Sequence, residues 1–448
     1  NRNNFKLFFS PIPMKQKYLP IQEAIEKGSG KVAVRGWIHR ERGSNKMKFI
    51  VLRDVSNIIQ IVLTKDKFEK QWDGIDKLQI EAAVEIEGTI KEDKRAVTGF
   101  EVHAEKINIV GTSNEFPINK DLNEELLGDR RHLWLRSRKM TSVLKIRDTI
   151  LEALREHWRN KGFYEYHSPS IIGMQCEGGA TMFDVNYFGK KLHLAQTWQL
   201  HAEPGIFALE KIFTIQPSFR AEKSKTSRHL TEYWHAEMEA AWEDFNYLQD
   251  DGEETIKHVV SKVLKKNKAE LEFLKRDIKK LRPIIKKKFP RMTYTDALKL
   301  LKEKKKMPVS WGKDLRTIEE DKLSELYDTP VIVTEYPKEV KAFYMKEAEK
   351  HPKEGKVVLG FDMIAPEGYG EIIGASQREE SIEIMTENLK AQGEDPSKYE
   401  FYFDTRRYGS VPHGGYGLGV ERIIAWICGL DTIKDTMPFP RTMTRYYP

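Results

Sequence analysis

The sequence predicts an α+β protein of two domains, a small N-terminal β-barrel and a larger C-terminal domain of strands flanked by helices. Three observations predict it. The chain has 448 residues, 40% of them hydrophobic, more than one hydrophobic core ordinarily holds. Residues 14–112 contain short runs with the period of two expected of half-buried strands. From Leu133 onward the apolar spacing becomes helical, around a polar hairpin that opens near Phe219.

Taken in order, residues 1–13 contain no acidic residue, and their apolar run Leu7-Phe8-Phe9 is too short for a secretory core. They read as an extension rather than a targeting signal. Lys31 to Ile38 alternates apolar and polar, and Phe49–Arg53, Ile58–Leu63, Ala83–Gly88 and Val102–Val110 follow. Five strands at this spacing suit a small barrel, placed at 14–112. Gly111 to Asp129, with Pro117, reads as a hinge, so the linker is expected at 113–132 and the second domain at 133–448. Val143, Ile146, Ile150, Leu151, Leu154 and Trp158 mark one face of a helix. Gly162-Phe163-Tyr164-Glu165-Tyr166 leads from it to Ser168-Pro169, where proline ends a strand. The Lys/Arg-rich stretch Lys257 to Arg291 has helical spacing and reads as a solvated helix face rather than a nucleic-acid contact.

Composition narrows the function. No segment approaches the roughly 20 apolar residues of a membrane span. Lys and Arg number 75 against 68 Asp and Glu, a formal charge of +7, which suits a nucleic-acid partner without requiring one. The two cysteines, Cys176 and Cys428, lie far apart with no CxxC pair. That argues against a disulfide framework and structural zinc, and a reducing cytoplasmic compartment is the simplest reading.

The chemistry concentrates in residues 219–239. Arg220 and Glu222 stand where one apolar run ends, and Arg228 and His229 where the next begins. Guanidinium groups hold phosphates, a carboxylate reads amino groups, and an aromatic such as Tyr233 stacks on a base. Near the C-terminus Gly417-Leu418-Gly419-Val420-Glu421-Arg422 precedes an apolar helical run. Glycines there let the backbone approach a nucleotide, and a helix N-terminus favours anions. No βαβ pattern surrounds it, so it is not a dinucleotide fingerprint. Asp362 and Glu371 flank the turn Pro366-Glu367-Gly368-Tyr369-Gly370, and carboxylates of this kind suit magnesium on phosphates. In the barrel, Phe49 and Gln60 fall at strand positions among Arg35, Arg40, Arg42, Lys46 and Lys48. That combination fits single-stranded nucleic acid; by spacing alone, the favoured reading is Phe49 as core and Gln60 as a surface strand residue.

Together these segments resemble the class II aminoacyl-tRNA synthetases of the aspartyl, asparaginyl and lysyl subclass. From about Gly30 to Arg441 the resemblance is greatest to asparaginyl enzymes of the archaeal type. It implies an OB-fold anticodon-binding barrel and a class II catalytic domain on an antiparallel sheet flanked by helices. It also implies ATP and magnesium as cofactors, and tRNA(Asn), asparagine and a second copy of the chain as partners. Residues 219–239 match motif 2 and Gly417–Arg422 motif 3. Gly162 to Pro169 matches motif 1, the dimer segment. By that match Arg220 and Arg422 are catalytic, the first on the α-phosphate and the substrate carboxylate, the second on the γ-phosphate. Glu222 and Tyr233 hold adenine, Arg228 and His229 the outer phosphates, and Asp362 and Glu371 the metal. Phe49 stacks on the middle anticodon base, with Gln60 and Glu101 beside it.

The same resemblance bears on the amino acid. Glu177 and Gln199 match contacts to its α-amino group. Aspartyl enzymes carry Gln-Ser-Pro-Gln-x-x-Lys where this chain has Gln196-Thr197-Trp198-Gln199-Leu200-His201-Ala202. Ala202 stands at the lysine position, and without that cation a buried aspartate side chain is costly. A carboxamide needs one donor and one acceptor; Arg378 and Glu237 are expected to supply them. Gln377-Arg378-Glu379 and Arg406-Arg407-Tyr408-Gly409-Ser410 also read as asparaginyl. Trp198 is bulky for its position, and Pro204 is expected to disturb the helix after it. The rival readings are an aspartyl enzyme charging both tRNAs, a synthetase-derived asparagine synthetase, which lacks the barrel, and an inactive nucleic-acid-binding paralogue.

Overall fold

The computed structural model describes residues 18–118, 123–174, 182–223 and 226–448. The expected extension at 1–13 and Glu177 lie outside them. The chain divides into two compact units, one ending at Leu127 and the other beginning at Gly128.

The first unit is a closed barrel of β1 (Gly30–Ser44), β2 (Met47–Arg53), β3 (Ile58–Thr64), β4 (Ala83–Glu92) and β5 (Phe100–Gly111), in the order β1-β2-β3-β5-β4. Alternation sends Ile50, Leu52, Ile59, Ile61, Leu63 and Val102 inward, with Val34, Ile38 and Ile86. The opposite face is set by register. Arg42 pairs with Phe49, Val51 with Gln60 and, across the parallel β3–β5 ladder, Gln60 with Glu101. Two glycines let strands approach closely: a Cβ on Gly36 would stand 2.1 Å from the Arg53 carbonyl, and one on Gly88 2.3 Å from that of His103.

The second unit contains β6 (Tyr164–Glu165), β7 (Ile171–Ile172), β8 (Asp184–Tyr187), β9 (Lys190–Leu194), β10 (Lys211–Phe219), β11 (Glu232–Ala241), β12 (Arg291–Thr293), β13 (Val331–Thr334), β14 (Gly360–Ala365), β15 (Gly370–Gln377) and β16 (His413–Gly419). Eight of them form one sheet, β12-β13-β14-β15-β16-β11-β10-β6, and β7-β9-β8 form a small second sheet. The six central strands are antiparallel, as expected; the two outer ladders, β12–β13 and β10–β6, are parallel. Helices Arg138–Asn160, Phe245–Lys266 and Val420–Cys428 pack against the sheet, and their apolar faces form the main core with Phe213, Met238, Met363, Ile373 and Leu418. The basic stretch after Lys257 buries Val259, Val260, Val263, Leu271, Leu281 and Ile284. On the other side Lys262 and Lys266 pair with Glu156 and Glu152, so it is a solvated face, as read. Arg131 buries its guanidinium on the carbonyls of Lys434, Met437 and Pro438, which ties the segment after Gly128 to this unit.

Gly88→Ala adds a methyl where none fits, and overpacking of this kind costs about 1–3 kcal/mol. The amides of β4 and β5 are expected to exchange with deuterium about 5- to 150-fold faster, with the eight-stranded sheet unchanged. Equal protection in both proteins would show that the barrel yields at no cost.

Candidate active site

One face of the eight-stranded sheet is buried under helices, and the other carries the polar side chains. Along β11, Trp234, Ala236 and Met238 point to the core, so Tyr233, His235, Glu237 and Glu239 share the other face. Register aligns Thr214, Glu237, Gly417, Gly374 and Asp362 across five strands, and Glu239 with Gly415 and Ser376 in the next row. The glycines make room for side chains above them. A Cβ on Gly415 would stand 2.2 Å from Glu239 Oε2, and one on Gly417 2.5 Å from His235 Nε2.

Two clefts open here, and Arg220 lines both. The larger, about 520 Å³, is bordered by Gln199, Glu237, Glu239 and Arg378 at one end and by Lys341, Asp362 and Glu371 at the other. The smaller holds Arg228, His229, Tyr233, Glu371 and Arg422. The hairpin and C-terminal residues read from sequence are thus brought together. Arg220 Nη1 lies 3.8 Å from Glu222 and its guanidinium 5.7 Å from the centre of the Tyr233 ring. Glu222 also stands 3.3 Å from His229. Burial, with Arg422, Arg220 and Arg228 nearby, pushes the His229 imidazole down against the pull of Glu222, as an anion site would. Arg228 engages Asp321 at 3.0 Å and the Gly368 carbonyl. Arg422 lies in the first turn of the helix Val420–Cys428, and its Nη1 donates to the Glu371 carbonyl at 2.5 Å.

The carboxylates expected at the metal converge. A register shift between Met363 and Ile364 leaves an extra residue on β15. Ile372 and Ile373 therefore both enter the core, and Glu371 is re-aimed to the cleft face. A Cβ on Gly374 would meet Glu371 Oε1 at 2.9 Å and Asp362 Oδ1 at 3.8 Å, so the space between the two carboxylates is a cradle that only glycine leaves open. The donor set fits magnesium, a hard cation that takes one or two carboxylates and shares the rest of its shell with phosphate. Glu320, not singled out in the sequence, joins this cluster; burial and Glu371 push its carboxyl up to about 8. Burial also raises Asp362, to about 6, despite Lys341 beside it.

The amino-acid end differs most from the sequence expectation. Trp198 is 1% exposed, and its ring packs with Ala202, Ile206, Ile212 and Ala241; its bulk lies in the core. The helix Gln199–Leu209 runs through Pro204, correcting the expected disturbance. Ala202 faces that core cluster, and the neighbouring turn of the helix carries Gln199 and Glu203, joined at 2.9 Å. Glu237 accepts from the Thr197 hydroxyl and from the Trp198 N–H at 2.9 Å. Arg378 is buried in a two-bond pairing with Glu239, at 2.8 Å for each bond, and donates to Ser376 Oγ at 2.6 Å.

Behind this pair lies a network that sequence spacing did not disclose. Glu203 accepts from Tyr402 at 2.7 Å, pairs with Arg406 at 2.7 Å and with His413 at 3.0 Å, and lies 3.8 Å from Arg378. Ligand atoms of Glu203, Glu239 and His413 lie within 4.8 Å of one another. Two guanidinium groups already sit on those carboxylates, so the cluster is an ion-pair network and not a metal centre. Burial opposes the charge on Glu203, but Arg406, His413 and Arg378 outweigh it and hold its carboxyl far below the usual carboxylate range.

In the barrel, Arg42 lies 5.1 Å over the half-buried Phe49 ring. Gln60 Nε2 donates to Glu101 Oε2 at 2.7 Å, and His103 Nε2 meets Glu101 Oε1 at 2.8 Å. The three expected residues share one outer face, and His103 is an addition.

Breaking one side of a buried ion-pair network costs about 3 kcal/mol or more, and Glu203→Gln is expected to lose that much in urea unfolding. A carboxyl depressed in the folded state contributes fully above its unfolded value of about 4.3, and the contribution fades as pH falls below it. The gap between wild type and variant should therefore be full at about pH 7 and smaller at about pH 3. A gap independent of pH would mean that the charge of Glu203 is not what stabilises.

The family model described as tRNA synthetases class II (D, K and N) matches residues 123–443, and that described as OB-fold nucleic acid binding domain matches residues 32–110. The asparagine–tRNA ligase of Thermococcus gammatolerans is 44% identical over 93% of this chain and 96% of its own length. That of Thermoplasma acidophilum is 45% identical with the same coverage. The crystal structure of asparaginyl-tRNA synthetase from Pyrococcus horikoshii complexed with asparaginyl-adenylate matches with a TM-score of 0.92 at 42% identity, over 97% of this chain and 100% of that one. With a catalytic sheet, a barrel and full-length likeness in agreement, the chain belongs to the class II tRNA synthetases, among the asparaginyl members of the family.

Proposed function

We propose that the chain is an asparagine–tRNA ligase, which activates asparagine with ATP and transfers it to tRNA(Asn). The observation that carries the choice of amino acid is the Arg378–Glu239 pair in the cleft wall. A guanidinium already neutralised by a carboxylate offers hydrogen-bond donors without surplus charge, which suits a carboxamide. The likeness to asparagine–tRNA ligases over nearly the whole chain supports the same reading. Glu239 joins Glu237 in the cleft wall, and Glu237 also holds the loop at Thr197 and Trp198.

The chemistry is an in-line displacement. The asparagine carboxylate attacks the α-phosphate, the bond to the bridging oxygen breaks, and pyrophosphate leaves. Arg220, shared by the two clefts, neutralises charge where the carboxylate meets the phosphate, and Arg422 holds the far end of the triphosphate. Asp362 and Glu371 would hold magnesium, which when bound supplies further charge neutralisation on the phosphates. In the second step the terminal ribose hydroxyl of the tRNA attacks the activated carbonyl and AMP leaves. Tyr233 and Glu222 would take the adenine. Phe49, with Gln60, Glu101 and His103, is the anticodon face. Exposed Tyr164, on the edge strand β6, and exposed Ile171, on β7, support a homodimer.

Two measurements test this. ATP–pyrophosphate exchange is expected with asparagine and not with aspartate, and to stop when EDTA removes divalent metal. Exchange with aspartate alone would overturn the assignment, and silence with both would favour a binding paralogue. Phe49→Ala removes one base-stacking platform, worth about 1–3 kcal/mol. Aminoacylation kcat/KM should then fall about 5- to 150-fold while exchange is unchanged; an unchanged kcat/KM would remove Phe49 from the anticodon face.

A further inference from the structure

Lys341 was not among the residues the sequence singled out, and the proposed chemistry does not use it. It lies between β13 and β14 and lines the metal end of the larger cleft. Its amine is 2.9 Å from Asp362 Oδ2 and 3.5 Å from Asp314 Oδ1, and 3.9 Å from the centre of the Tyr336 ring. A loop, a strand and the segment ahead of helix Thr317–Ser324 thus hold one ammonium against one of the two carboxylates expected to take the metal. Asp362 is divided between two surroundings. Its Oδ2 faces Lys341, and its Oδ1 faces the space over Gly374 toward which Glu371 Oε1 also points.

We propose that Lys341 is a positioning residue that orients Asp362 and weakens divalent-cation binding at the carboxylate pair until a triphosphate arrives to share the metal. The inference rests on the ATP and magnesium reading above. Without nucleotide, Lys341 offsets part of the negative charge that Asp362 and Glu371, with Asp314 close by, present to a dication. Phosphate oxygens add the missing charge and ligands. The lysine therefore favours metal and nucleotide binding together over metal alone.

The test uses Mn2+ as the probe, followed by its free-ion paramagnetic resonance signal, on the full chain without nucleotide. Lys341→Met is expected to tighten Mn2+ binding by roughly tenfold or more, and Lys341→Arg to stay near wild type. Asp362→Asn added to Lys341→Met should remove the gain. With a non-hydrolysable ATP analogue present, the wild type and the Met variant should converge. Lys341→Gln is measured alongside, so that a folding loss in the Met variant does not decide the matter. Mn2+ binding by Met and Gln variants no tighter than wild type overturns the role of Lys341, and so does tight binding by wild type alone. Failure of wild type to bind Mn2+ even with the analogue would instead sink the ATP reading on which the inference stands.

Discussion

The amino-acid end of the cleft depends on one buried carboxylate. Glu203 is inaccessible to water, and a lone charge there would cost many kcal/mol. It is tolerated because Arg406, His413, Tyr402 and Gln199 all reach it. Those partners come from separate elements: the helix after the Trp198 loop, the helix Glu400–Arg407 and the first residue of β16. Arg378 is the link to the cleft, 3.8 Å from Glu203 and in two-bond contact with Glu239. A network of two carboxylates and two guanidiniums in a dry site is stable in one arrangement, because any rotation leaves a charge unpaired. That rigidity is what a specificity pocket needs: donors held in place before the substrate enters.

The same network explains how the helix Gln199–Leu209 keeps Pro204. Proline removes the amide that would bond the Leu200 carbonyl, and inside a helix this costs about 3 kcal/mol. On one side of the gap Glu203 is anchored by its charged partners, and on the other Ile206 is buried with Trp198 and Ile212. Tertiary contacts hold both halves in line, so the local penalty does not break the element. Trp198 belongs to the same argument. A large aromatic is favourable where it fills a core, and the indole packs with Ala202, Ile206, Ile212 and Ala241 while the residue also borders the cleft.

What the sequence disclosed follows from how local the signal is. The barrel strands, the hairpin at 211–241 and the helix behind Gly419 are runs with a strong period, and Arg220, Glu222, His229 and Arg422 sit at their ends, where register fixes position. Asp362 and Glu371 were legible for the same reason, on two strands joined by a short turn. The remainder was not, because it depends on contacts between distant segments. Glu203 meets His413 across 210 positions and Arg378 meets Glu239 across 139. No spacing rule ranks Glu239 above Glu237 when both lie on one strand face. The β-bulge that re-aims Glu371 has no marker in Glu371-Ile372-Ile373, which reads equally as unbroken strand. Lys341 and Asp314 lie in connecting segments, where neither helical nor strand period assigns a direction.

The choice between asparagine and aspartate then reduces to charge and donor count. Arg378 has five N–H groups, and hydrogen bonds to Glu239 and Ser376 account for three of them. Its positive charge is balanced by Glu239, with Glu203 close behind. An incoming carboxamide can accept a remaining N–H through its oxygen and donate its NH2 to a neighbouring carboxylate, satisfying both groups without adding charge. An incoming carboxylate brings a third negative charge beside Glu239 and Glu237, where Arg378 is already paired with Glu239. On the proposed assignment, a missing lysine alone would make the pocket weaker for aspartate, and a guanidinium already committed to Glu239 adds to the discrimination. On the proposed assignment, specificity in this cleft arises from how the protein pairs its own charges before either amino acid arrives.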